Sequence, residues 1–64
     1  MSKLEHIKAL VNNLKNDRLF NLISKLIKTG EIDKVVYTVI GALMVIEDSN
    51  KDRVTLVEIA ELLK

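Results

Sequence analysis

Cysteine is absent from this chain, so neither disulfide staples nor thiolate metal ligands are available to it, and nothing can be read about redox compartment. Proline is absent as well, and glycine occurs only at Gly30 and Gly41, so little breaks up regular backbone. Aromatic residues are limited to Phe20 and Tyr37. Only Phe20 falls among the basic residues, too little for the stacking platform that single-stranded nucleic acid uses. A single histidine, His6, cannot build a zinc site, which takes three or four ligands. Long apolar runs are also lacking. The longest, Val35 to Ile46, is far shorter than the roughly 20 residues that cross a bilayer. Asp33, Lys34, Glu47 and Asp48 bracket it tightly. The opening MSKLEHIK has no apolar core or small-residue cleavage site of a secretory signal, so a cytoplasmic location without a membrane span is the expectation.

What remains is aliphatic. Ten Leu, seven Ile and seven Val fill a large share of 64 positions, a composition that rules out low-complexity disorder. Such a length makes one domain, residues 1–64, near the lower edge of independent stability. A chain this rich in aliphatics and without staples gains stability by oligomerising.

The periodicity predicts helices. Ser2 and Glu5 have the spacing of a capping box, followed by Leu4, Ile7, Leu10, Val11 and Leu14 on one face of a first helix. Asn16 or Asp17 can cap a second helix whose apolar face is Leu19, Phe20, Leu22, Ile23, Leu26 and Ile27. Lys28 suits the negative end of its dipole, and Gly30 stops it near Thr29. Val35 to Ile40 are β-favouring residues, yet the run is long for a strand and shows no alternation. Ile32, Val35, Val36, Val39, Ile40, Leu43 and Ile46 repeat at helical spacing, which predicts a third helix over about Glu31–Asp48. A fourth begins near Lys51 or at Thr55, with Val54, Val57, Ile59, Leu62 and Leu63 as its apolar side. The fold class expected is all-α, a small bundle of three or four helices completed by homo-oligomerisation.

The third helix carries the strongest functional signal. Its run is apolar all round, and such a helix must be covered on every side. Sixty-four residues offer few elements to do so, and pairing about a two-fold axis lets one patch cover itself. The interface residues expected are Val36, Val39, Ile40, Leu43 and Met44. Gly41 lies one turn from Thr38, and a glycine inside a helix costs about 1 kcal/mol relative to alanine, so close helix crossing is the packing reason to look for. The hydroxyl of Tyr37 needs a partner if buried and none at the rim.

Charge is unevenly spread. Lys3, Lys8, Lys15, Arg18, Lys25 and Lys28 face only Glu5 and Asp17 in residues 1–30. Residues 31–64 hold Glu31, Asp33, Glu47, Asp48, Asp52, Glu58 and Glu61 against Lys34, Lys51, Arg53 and Lys64. Lys3, Lys8, Lys15 and Arg18 form the candidate surface for an anionic partner, either nucleic acid or an anionic membrane surface. Attraction between the two halves, within or between chains, accounts for the same asymmetry and is preferred.

Other motifs are ordinary. Asp48-x-Asn50-x-Asp52 starts like a calcium loop, but Arg53 takes the place of the required glycine and Ile59 that of the bidentate glutamate, so a polar turn is the better reading. Thr55 to Leu63 looks like the first helix of a helix-turn-helix pair, whose second helix would fall beyond Lys64. Glu58 and Glu61 read as a solvated face, and Ser24 and Ser49 have no local base. No catalytic residue, metal site or cofactor is expected, and the chain is read as a non-enzyme.

From Lys25 onward, the pattern Leu26-x-x-x-Gly30-x-Ile32-Asp33-x-Val35, a long apolar helix, Glu47-Asp48 and Val57-x-x-Ala60-x-Leu62 resembles a family of small prokaryotic helical proteins often encoded beside formate dehydrogenases and other redox enzymes. The resemblance covers residues 25–63 and implies an accessory or interaction role with no catalytic residue. The functional expectation is thus a protein-interaction module that self-associates and binds itself or another protein. A nucleic-acid-associated regulator acting through the basic half is the alternative.

Overall fold

The computed structural model describes residues 2–64. Four helices follow one another: α1 Lys3–Asn12, α2 Asp17–Lys28, α3 Ile32–Val45 and α4 Asp52–Leu63. No strand occurs among the described residues. Each helix packs on its sequence neighbours, and α1 also packs on α4, closing a four-membered ring. Short connections make successive helices antiparallel. One end of the bundle gathers Lys3 and Leu4 from the start of α1, Gly30 after α2, Ile32 at the start of α3 and Leu63 at the end of α4.

The core is built from one stripe of each helix. Ile7, Leu10, Val11 and the following Leu14 come from α1, Ile23, Leu26 and Ile27 from α2, Val35, Val39 and Ala42 from α3, and Leu56 and Ile59 from α4. Burying each large aliphatic side chain is worth about 1.5–3 kcal/mol. The apolar side expected for α4 is rotated. Leu56 is in the core, while Val54 is 67% exposed and Val57 also reaches solvent. The register is set by Asp52, Leu56, Ile59 and Leu63, spaced by four, three and four residues, which face inward together.

Local signals begin and end the helices. Ser2 Oγ accepts from the Glu5 N–H at 3.2 Å, and Asn16 Oδ1 accepts from the Leu19 N–H at 3.0 Å. The close of α2 is a Schellman motif. The Glu31 N–H donates to the Leu26 carbonyl and the Gly30 N–H to the Ile27 carbonyl, with Gly30 at φ +79°. Thr29 Oγ1 donates to the Lys25 and Leu26 carbonyls.

Helix α3 is shorter than the periodicity implied, ending at Val45 rather than near Asp48. Ile46 is extended, at φ −81° and ψ 151°, although its N–H still donates to the Ala42 carbonyl. Leaving the helix there lets the half-buried Ile46 fold back on the core while the chain turns through Glu47–Asn50 into α4. Helix α4 starts at Asp52, so Thr55 lies inside it and not at a cap.

Asp52 is the one buried charged residue among those described, at 4% exposure. Its Oδ1 accepts from the Lys15 N–H at 2.7 Å and its Oδ2 from the Asn16 N–H at 2.9 Å. Its own N–H donates to Asn50 Oδ1 at 2.8 Å. A buried carboxylate is tolerated because it is hydrogen-bonded on both oxygens, and its place in the first turn of α4 suits the helix dipole. The polar turn at Asp48–Asp52 therefore does structural work: Asp48 lies 3.7 Å from Arg53 Nε, and Arg53 Nη1 donates to the Leu43 carbonyl near the end of α3 at 3.4 Å.

Asp52→Ala removes the acceptor of two backbone N–H groups and is expected to destabilise the fold by about 2–4 kcal/mol, with Asp52→Asn losing less. Urea denaturation reads both. Gly30→Ala has open space for its methyl group, so its expected cost of about 1–2 kcal/mol in the same assay comes from the left-handed backbone alone.

Candidate functional site

Helix α3 has two faces. Val35, Val39 and Ala42 point into the bundle. On the opposite face Tyr37, Ile40, Gly41 and Met44 follow helical spacing of three, one and three residues, and all are exposed, Tyr37 at 74% and Met44 at 80%. Val45 extends the stripe, and Leu22 of α2 is likewise exposed. Helical spacing puts Leu22 on the α3 side of its helix, because Ser24 and Ile27 border α1. Isolated exposed aliphatics are normal on a protein surface, but a contiguous apolar stripe marks an interaction site.

The expected interface residues therefore separate. Ile40 and Met44 stand on the outer face, and Tyr37 joins them. Val36 and Leu43 are half-buried on the flank, Leu43 packed against the core. Val39 is 0% exposed and belongs to the chain's own core, so it is not on an available surface. The error has a simple origin: in an all-apolar run, sequence gives no polar residue to mark the outward direction. Tyr37 was the available signal, since its hydroxyl is satisfied by water at no cost on an outer face.

Gly41 is open. An added Cβ would meet no heavy atom within 4 Å, so the close crossing sought for this glycine is not made by another helix of the same chain.

The basic residues do not converge. Lys8 lines a groove of about 290 Å³ between α1 and α2 with Val11, Asn12, Ser24, Ile27 and Lys28. Lys3 borders the apolar depression at the end of the bundle, about 340 Å³, with Leu4, Ile7, Ile27 and Ile32. Lys15 lies in the α1–α2 connection and Arg18 in the first turn of α2, toward the other end. Lys3 and Lys15 are thus separated by the length of α1, roughly 15–18 Å. Sequence reasoning missed Lys28 as the neighbour of Lys8, because that pairing depends on how α1 and α2 align.

The ion pairs among the described residues are Glu31–Lys34, Asp48–Arg53 and Glu61–Lys64, all solvent-accessible and within the acidic half. The attraction expected between the basic and acidic halves is not realised as an ion pair among the described residues. His6, Glu58 and Glu61 border the α1–α4 groove, but no three potential ligands come together as a metal site among the described residues. No helix there is long and apolar enough to cross a membrane.

Comparison with protein-family models, characterised proteins and solved structures returns no match to this chain.

The two faces of α3 should respond oppositely to charge. Val39→Lys is expected to abolish cooperative folding, whereas Met44→Lys keeps the helical circular dichroism spectrum and a cooperative thermal transition.

Proposed function

We propose that this protein is a non-enzymatic interaction module that works through the outer face of α3 and self-associates through it. The observation that carries this reading is the exposed stripe Tyr37, Ile40, Gly41 and Met44 on the helix whose other face builds the core. A second copy is the occupant that best suits the face. The same apolar surface is available on each copy, and a two-fold arrangement covers both patches at once. Gly41 adds an independent argument. Glycine inside a helix costs about 1 kcal/mol relative to alanine, and no contact within the chain calls for it. Close approach of a second backbone gives it a role. The accessory role implied by the resemblance over residues 25–63 needs such a protein-binding surface.

The alternative, a nucleic-acid-associated regulator, draws on the groove that brings Lys8 and Lys28 together beside Asn12 and Ser24. It is weaker because Lys3, Lys15 and Arg18 lie elsewhere and no aromatic side chain lines that groove.

Sedimentation at micromolar concentration should find a dimer that Ile40→Lys converts to a folded monomer. Gly41→Ala should weaken association while raising helix stability in the monomeric Ile40→Lys background by about 1 kcal/mol. A wild-type chain that sediments as a monomer overturns the reading. DNA binding that weakens steeply between two salt concentrations would transfer support to the basic groove.

A further inference from the structure

We propose that the groove between α1 and α2 binds a small phosphomonoester, one with a short apolar body and a neutral hydrogen-bonding group at its far end. Each helix contributes a lysine, an aliphatic and a short polar side chain. Lys8, Val11 and Asn12 come from α1, and Ser24, Ile27 and Lys28 from α2. Because the two helices run antiparallel, Lys8 and Lys28 lie at one end of the groove and Asn12 and Ser24 at the other. Four residues of helix, about 6 Å, separate the ends. Val11 and Ile27, both buried, form the floor between them. The space is about 290 Å³. Pockets for small molecules start at roughly 300 Å³, so the ligand is a small one.

The polar side chains of this groove have no partner among the described residues. Neither Lys8 nor Lys28 belongs to an ion pair there, and Glu5, one turn before Lys8 on α1, does not pair with it. Ser24 is half-buried, yet its hydroxyl makes no hydrogen bond among the described residues, and neither does the Asn12 amide group. A helical hydroxyl commonly turns back to a carbonyl of the preceding turn, as Thr29 Oγ1 does at the end of α2. Ser24 does not, and its donor is available to the groove. The negative end of the α2 dipole lies near Lys28, but it amounts to only about half a charge. Lys25 and Lys28 together outweigh it in that last turn.

Two lysines at one end of a groove match a head of about two negative charges. A phosphomonoester carries about −1.5 to −2 at neutral pH and offers three strong acceptor oxygens. A carboxylate brings one charge, and so does each diester of a nucleic-acid backbone. Lysine binds phosphate as a point charge on a flexible stem, so the two ammonium groups can close on one head from opposite rims. The aliphatic floor then covers a short hydrocarbon body. At the far end Asn12 and Ser24 supply hydrogen bonds to a hydroxyl or carbonyl oxygen.

The test is a titration of the full chain with 4-hydroxybutyl phosphate, followed through backbone amide NMR shifts above the second phosphate pKa of about 6. Saturable shifts centred on Val11, Asn12, Ser24 and Ile27 are expected. Inorganic phosphate, the head alone, should bind about tenfold more weakly, the equivalent of roughly two buried methylene groups. Butyl phosphate, lacking the far hydroxyl, should bind about 2–10-fold more weakly. That preference should vanish in Ser24→Ala, a readout that a purely structural role for Ser24 would not move. Lys8→Gln and Lys28→Gln keep helix propensity and should each weaken binding by up to about fivefold. The proposal is overturned by the absence of saturable binding, by inorganic phosphate binding as tightly as the hydroxybutyl ester, or by shifts spread evenly over Lys3, Lys15 and Arg18. A short DNA duplex that binds this groove more tightly than the ester also overturns it and assigns the groove to nucleic acid.

Discussion

The carboxylate of Asp52 joins parts of the chain that are distant in sequence. Both of its oxygens accept backbone N–H groups from the α1–α2 connection, across 36 and 37 residues. That connection must reverse the chain, and the N–H groups of Lys15 and Asn16 have no helical carbonyl to meet there. Asp52 supplies the acceptor from the far end of the fold, while occupying the inward position that precedes Leu56 and Ile59 on α4. Fixing the loop and the start of α4 against each other sets the register of α4 on α1. The rest of the ring then closes through α3.

Around that anchor, each helix divides its residues between the core and the solvent. Helices α1 and α2 have polar outer faces carrying Lys8, Asn12, Asn21 and Lys25. Helix α3 does not divide this way. Its inner face builds the core, and its outer face is apolar and exposed among the described residues. Symmetric pairing of two copies, as proposed, would cover such a surface. The polar turn after α3 keeps the end of the stripe in order, since Arg53 both meets Asp48 and donates to the Leu43 carbonyl.

Much of this was legible from residue spacing. The cap residues Ser2 and Asn16, the stop at Gly30 and the inward stripes of α1 and α2 follow directly from local patterns. The reading of the apolar run as helix against its β propensity also holds as far as Val45, because the period of three and four matched a face that the rest of the bundle could cover. Where polar residues were missing or shared a face with apolar ones, spacing failed. Val39 and Met44 are equally apolar, yet one is sealed in the core and the other lies in water. On α4, Val54 and Val57 looked as suitable for burial as Leu56, and Asp52 had no visible reason to point inward.

Sequence alone thus determined the elements: three or four amphipathic or apolar helical segments, the caps of the first two, and short turns between them. Those are local properties, decided by backbone hydrogen bonding and side-chain period within a few residues. Tertiary structure decided which way α3 and α4 are rotated, that Lys8 and Lys28 line one groove, and that no described residue fills the space beside Gly41. The rotation of α4 rests on a contact between Asp52 and two N–H groups more than half the chain away, and no local pattern encodes a contact of that range.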